Sequence, residues 1–272
     1  MSPNPYRLVV SDIDGTLQDS NHRISPFTLE VIHQLQANGM LFTLSTGKLL
    51  PAVQEPAQLL GIDIPLILSN GSLLQFPQGR LVHAAFFDSA VVRAVIQLVS
   101  ACQADITLCT PESIYTLRIT QSVRAMMNFG GPHPHVLSSW EELGIDWERT
   151  VKFVIMNMGG PSALAPVAET LKKNLDGRVS FFPTMPYMLE VLPPGEDKAS
   201  GLRRLADFLS VPLSAIITIG DGDNDVVMHH LAGLSASVAN GTPACKASAD
   251  LVIESNDKEG PARFLAGLLK HS

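Results

Sequence analysis

Two carboxylates stand one residue apart in Asp12-Ile13-Asp14-Gly15-Thr16-Leu17, directly after the apolar run at residues 6–11. A buried strand that ends in acids and a glycine places them at the carboxyl edge of a sheet, where α/β proteins bind their ligands. Two like charges buried there need a reason. On these residues alone, an acidic loop that binds calcium or caps a helix fits as well. The rest of a calcium loop is missing, because no glutamate stands at its twelfth position.

The elements that must position these acids follow from periodicity. After the strand at residues 6–11, Ser25-Pro26 reads as an N-cap followed by proline at the first helical position, and Leu29, Ile32 and Leu35 keep helical spacing up to Gly39. Residues 41–45 form a second strand, 49–60 a helix ending at Gly61, and 65–68 a third strand closed by Ser69-Asn70-Gly71. Late in the chain the rhythm returns, with a helix over 198–209, a strand over 215–219, a helix over 223–231, and strands over 236–238 and 251–253. This alternation predicts an α/β fold, a doubly wound, Rossmann-like parallel sheet built from residues 1–75 and 193–272. Residues 76–192 break the rhythm with hairpin-like pairs at 106–108 and 114–117 beside helices at 89–101 and 161–175, so they read as an inserted α+β cap domain. Within it, Gly130-Gly131-Pro132-His133-Pro134-His135 reads as a loop.

With the elements in place, Asp-Ile-Asp-Gly-Thr-Leu after a short apolar strand resembles the first motif of the haloacid dehalogenase superfamily of phosphohydrolases. The other motifs follow in order. Ser45-Thr46-Gly47-Lys48 resembles the second, Lys198 in Pro-Pro-Gly-Glu-Asp-Lys-Ala-Ser-Gly the third, and Gly220-Asp221-Gly222-Asp223-Asn224-Asp225 the fourth. Ser69-Asn70-Gly71, Val238-Ala239-Asn240 and Ser255-Asn256-Asp257-Lys258-Glu259-Gly260 match stretches typical of the Cof-like branch, which carries a type IIB α/β cap between the second and third motifs.

The resemblance implies a Mg²⁺-dependent phosphatase that hydrolyses small phosphorylated metabolites, sugar phosphates or phosphorylated cofactors. Asp12 would attack phosphorus to form an aspartyl-phosphate, and Asp14 would protonate the leaving alcohol and then deprotonate water. Carboxylate attack on a phosphate dianion is opposed by roughly 4 kcal/mol per charge pair at about 4 Å and an effective dielectric near about 20. By the family pattern that repulsion is cancelled by Mg²⁺ on the side chains of Asp12 and Asp221 and the backbone carbonyl of Asp14, with Asn224 and Asp225 steering its waters, and by Lys198. The Thr46 hydroxyl and Gly47 amide would bind phosphoryl oxygens, and Lys48, Asn70 and Asn224 complete the expected substrate contacts. Lys48 stands where the Cof-like motif often has arginine, a point charge in place of a bidentate fork. A phosphotransferase or mutase using the same aspartyl-phosphate, and a metabolite-binding protein without turnover, are the alternatives.

Composition bounds these readings. A chain of 272 residues with 46% hydrophobic and 17% charged residues is globular and long enough for two modest domains. A net charge of -7 argues against nucleic acid as partner. No apolar run is long enough to span a membrane and no signal peptide is visible, which places the protein in the cytoplasm. Three cysteines, Cys102, Cys109 and Cys245, lack metal or redox spacing and read as reduced thiols. Asp223 reads as a helix-dipole residue, Asn240 as a turn former or substrate contact, and His133 and His135 as surface loop. His229 and His230 read as solvent-facing or packed, and Met126-Met127 and Phe181-Phe182 as core filler.

Overall fold

The computed structural model describes residues 5–128 and 131–269; Gly130, part of the expected loop, lies outside them. Along the chain run β1 (Leu8–Ser11), α1 (Pro26–Ala37), β2 (Leu41–Leu44), α2 (Leu50–Leu59), β3 (Leu66–Leu68), β4 (Leu73–Gln75) and β5 (Leu81–Ala84). There follow α3 (Ser89–Ala101), β6 (Asp105–Cys109), β7 (Ile114–Thr116), α4 (Gln121–Met127), β8 (His135–Val136), β9 (Lys152–Met156), α5 (Pro161–Asn174), β10 (Ser180–Met185) and β11 (Met188–Leu192). The last part holds α6 (Lys198–Leu209), β12 (Ile216–Gly220), α7 (Val226–His229), β13 (Leu234–Val238), α8 (Pro243–Ser248), β14 (Leu251–Ile253) and α9 (Gly260–Leu269).

The chain packs as two units, one of Met1–Gly47, Val53–Val82 and Asp197–Ser272, the other of Lys48–Ala52 and His83–Glu196. The divisions fall later than the 75 and 193 read from the sequence. At the first, the chain past Gln75 still turns within the first unit, with the Gln75 side chain donating to Gly79 O and Phe76 N–H to Arg80 O.

In the first unit, five parallel strands run in the order β14-β13-β12-β1-β2. β1 and β12 are buried along their whole length, which is why they read as unbroken apolar runs. From β1 the chain passes through α1 to β2 on one side, while β12 flanks β1 on the other. The strand order therefore reverses between β1 and β12, and their carboxyl ends open into the ligand crevice of an α/β sheet. Ser25 caps α1 by accepting from Thr28 N–H, Pro26 opens it, and Val31, Ile32 and Leu35 bury its inner stripe.

Two expectations are corrected. β3 does not join the five-stranded sheet; it pairs antiparallel with β4 in a separate sheet of order β3-β4-β5, tied to the end of β2 through a parallel bridge between Ser45 and Ile67. The helix expected over 223–231 shrinks to α7. The Asp225 carboxylate accepts the N–H groups of Asp221 and Gly222 at 3.1 and 2.9 Å, so the backbone wraps around that side chain before the helix can start.

The second unit is an α+β layer, a six-stranded sheet of order β10-β11-β9-β6-β7-β8. Val92, Val95 and Val99 of α3 and Leu164, Val167 and Leu171 of α5 pack on Phe153, Ile155, Leu189 and Val191 of the strands. Lys152 has the opposite parity to Phe153 on β9, is buried, and donates to Glu190 Oε1 at 2.8 Å. Phe181 packs against this core, while Met126, Met127 and Phe182 are half-buried. His133 is exposed, and His135 lies in the two-residue β8 with its ring 5.3 Å from that of Tyr115. Among the described residues no helix is long and apolar enough to cross a membrane.

Candidate active site

Asp12 follows β1 and donates its N–H to Ile219 O of β12 at 2.8 Å, so the strand pairing carries on into the acid itself. Asp221 follows β12 at the same level, because Ser11 is in register with Ile219. Between Ile13 and Leu17 the backbone makes one wide turn, closed by Gln18 N–H to Ile13 O, with Gly15 at φ 74°. Glycine is required there twice over, since a Cβ would also lie 2.6 Å from Asp221 Oδ2. The same turn brings the Thr16 hydroxyl to Asp221 Oδ1 at 2.8 Å, fixing that carboxylate's orientation.

Lys198 arrives from α6. Asp197 caps that helix in a reciprocal box with Ser200, which sets Lys198 in the first turn. Its ammonium is fully buried and donates at 2.6 Å to Asp12 Oδ1 and at 2.6 Å to Asp225 Oδ1. Ligand atoms of Asp12, Asp221 and Asp225 all lie within 4.8 Å of one another. Three carboxylates thus face one ammonium. Burial pushes the Asp12 carboxyl well above the ordinary range against the pull of Lys198, with Asp225 and Asp221 adding repulsion. Asp221 is lifted to about 6, first by burial and then by Asp225. For Lys198, burial acts downward, but Asp12 and Asp225 override it and hold the amine protonated, above its usual range.

An all-oxygen donor set with a formal surplus of negative charge suits a hard divalent cation, which would bring the ionised cluster to neutrality. Asp225 already engages both oxygens, one with Lys198 and the other with Asp221 and Gly222 N–H. It therefore shapes the loop and holds the lysine. The Asp14 carboxylate lies outside the trio and is about one-third exposed, its Oδ1 3.6 Å from His22 Nδ1.

A third strand end completes the crevice. Thr46 N–H donates to Ile67 O at 2.9 Å, and Asn70 N–H to Thr46 O at 3.0 Å. Asn70 is buried in the left-handed region, at φ 50° and ψ 39°, and accepts from Asn224 Nδ2 at 3.0 Å. Its Nδ2 sits 3.1 Å from where a Gly47 Cβ would stand, so any larger residue at 47 would press on the Asn70 side chain. Thr46, Gly47, Asn70 and Asn224 form one connected group, whereas Lys48 packs with the second unit.

Other expectations shift. Asp223 is not a helix-dipole residue, because α7 starts only at Val226; its carboxylate accepts the Thr242 hydroxyl at 2.6 Å. Asn240 is a buttress, donating to Gly15 O at 2.7 Å and accepting from Asn256 N–H at 3.0 Å. His229 is packed inward, with Nδ1 3.0 Å from Ser248 Oγ. Thr16 and Asn256 were missed as site residues. Each lay inside a recognised motif, but the partner that gives it a role is more than two hundred residues away in sequence.

Residues 9–265 match the family of haloacid dehalogenase-like hydrolases. The 5-amino-6-(5-phospho-D-ribitylamino)uracil phosphatase YitU of Bacillus subtilis is 27% identical over 270 residues, covering 97% of this chain and 98% of that protein. The chloroplastic endoribonuclease YBEY of Arabidopsis thaliana is 27% identical over 94% of this chain, which spans 45% of that protein's length. In fold, a haloacid dehalogenase-like hydrolase from Bacteroides thetaiotaomicron superposes with a TM-score of 0.87 at 24% identity, over 97% of this chain and 99% of that one. With the match running from the first core strand into the last helix, the chain belongs to the haloacid dehalogenase-like hydrolases.

Proposed function

We propose that the chain is a Mg²⁺-dependent phosphatase of small phosphorylated metabolites that works through an aspartyl-phosphate on Asp12. The observation that carries this reading is the buried Lys198 ammonium, 2.6 Å from both Asp12 and Asp225, amid more carboxylates than it can neutralise. Bound by the side chains of Asp12 and Asp221 and the carbonyl of Asp14, with Asp225 beside them, Mg²⁺ would offset the charge on the phosphoryl dianion. Lys198 keeps Asp12 oriented and presents positive charge to a phosphoryl oxygen. The Thr46 hydroxyl and Gly47 N–H donate to the remaining oxygens, with Asn70, held by Asn224, beside them.

Asp12 attacks phosphorus in line, and the ester P–O bond breaks as Asp14 gives its proton to the departing oxygen. Asp14, now ionised, takes a proton from water; the water oxygen bonds to phosphorus, the P–O bond to Asp12 breaks, and phosphate leaves. The name of the Bacillus relative supports a small phosphorylated substrate, and sugar phosphates or phosphorylated cofactors are the class to screen. We assign specificity to residues of the second unit, including Lys48. The test is phosphate release from p-nitrophenyl phosphate with and without Mg²⁺. Turnover should require the metal and vanish in Asp12→Asn; an Asp12→Asn protein as active as the parent ends this reading.

A further inference from the structure

We infer that His22 is a positioning residue that orients Asp14 for proton transfer, an inference that rests on the acid–base role proposed for Asp14. The contact is His22 Nδ1 to Asp14 Oδ1 at 3.6 Å. Closing it by roughly half an ångström makes a hydrogen bond, and such contacts are often long before substrate arrives.

What makes this more than a passing surface contact is the loop that delivers the ring. The Asp19 carboxylate accepts from Asn21 N–H at 2.8 Å, Arg23 N–H at 2.9 Å, and the Arg23 guanidinium at 3.1 and 2.9 Å. The backbone closes on itself through Asp19 N–H to Arg23 O and His22 N–H to Asp19 O. From outside the loop, Asp257 accepts both the N–H and the hydroxyl of Ser20 at 2.7 Å, and Asn256 Nδ2 donates to Gln18 O at 2.9 Å. So braced, the loop holds His22 at φ 57°, a conformation that side chains with a Cβ seldom adopt. The tip of this braced loop places an imidazole against the one carboxylate of the motif that stands outside the acidic trio.

Asp14 has two oxygens with different duties. A hydrogen bond from Nδ1–H to Oδ1 turns the carboxyl so that Oδ2 carries the proton toward the ester oxygen; as the P–O bond breaks, that proton moves to the leaving group, and the ionised carboxylate keeps the donated hydrogen bond. No proton on His22 is consumed, so the effect is one of direction. In kcat/KM, which reports the step that forms the phospho-enzyme, losing it matters only where the leaving group needs its proton.

The test compares kcat/KM on p-nitrophenyl phosphate, whose phenolate departs readily as an anion, with kcat/KM on phenyl phosphate, whose does not. His22→Gly removes the ring while suiting the left-handed backbone. It should lower kcat/KM on phenyl phosphate by roughly tenfold more than on p-nitrophenyl phosphate, a fraction of what general acid catalysis supplies. His22→Asn, whose amide nitrogen takes the place of Nδ1 and which also tolerates positive φ, should restore most of the loss; His22→Gln, whose nitrogen takes the place of Nε2, should not. Equal losses on both esters, or none, overturn the inference, as does rescue by glutamine and not asparagine. Asp14→Asn separates the two failures. If it discriminates between the esters and His22→Gly does not, only the role of His22 falls; if it does not discriminate, the acid–base role of Asp14 falls with it.

Discussion

The ammonium of Lys198 lies 2.6 Å from the Asp12 carboxylate although 186 residues separate them, and the side chain that bridges the gap has no exposed surface. The contact joins the first strand of the core to the first turn of the helix at which the chain returns to it. Removing the lysine leaves Asp12 and Asp225 buried without their counter-charge. Lys198→Met should therefore lower kcat/KM on p-nitrophenyl phosphate by about 10²–10³-fold. It should also destabilise the fold by roughly 3–5 kcal/mol in urea unfolding. The double variant Asp12→Asn with Lys198→Met should regain part of that stability and none of the activity.

Asp221, lifted to about 6, gives a pH signature for the metal. An acid whose pKa is raised by folding holds its proton more tightly in the folded chain. Its contribution favours the fold fully below its ordinary value of about 3.9 and is lost as pH rises through the folded value. A cation that engages the ionised carboxylate reverses this. Mg²⁺ should raise Tm more at about pH 7.5 than at about pH 5, and Asp221→Asn should narrow the difference between the two, Asp12 supplying what remains. Equal shifts at both pH values in the parent would show that the metal does not depend on Asp221.

Thr16 offers a softer probe of the same place. Its hydroxyl reaches Asp221 Oδ1 at 2.8 Å and nothing in the proposed chemistry requires it to touch substrate. Thr16→Val should raise the Mg²⁺ concentration for half-maximal activity by about 10–100-fold. Turnover at saturating metal should be nearly restored. A fall in saturated turnover with unchanged metal dependence would assign Thr16 to another task.

In the second unit, burial would depress Lys152, but Glu190, with help from Cys109, reverses this and keeps the amine above its ordinary pKa. Lys152→Met should destabilise by about 3–5 kcal/mol, because the buried Glu190 then loses the Lys152 ammonium, whereas Lys152→Met with Glu190→Leu should recover most of that loss. Urea unfolding of the three proteins decides it. If the double variant is as unstable as the single one, the pair does more than balance its own charges.

Most of the core was legible because its signals are local. The apolar run before Asp12, the Ser25-Pro26 start of α1 and the capping residues of α6 each act within a few residues of where they stand. What misled was long-range or side-chain-to-backbone. The helical pattern over 223–231 is present, but Asp225 draws two N–H groups out of it. β3 carries the apolar signature of a parallel strand, yet its neighbour on one side is the next strand of its own hairpin. Asn240 looked like a turn former or a substrate contact, and only the fold shows it holding the Gly15 carbonyl from behind.

Finally, the pairing of β1 with β12 sets a timetable. β1 finds one of its two neighbours only when Ile216–Gly220 has been made, which at usual translation rates is tens of seconds after β1 itself. Until then an apolar ribbon that will lie inside the sheet has an open flank, and the Asp12 carboxylate has no Asp221 beside it. A nascent or truncated chain that stops short of β12 is thus both sticky and inert, because the acidic cluster is assembled only when β12 docks beside β1.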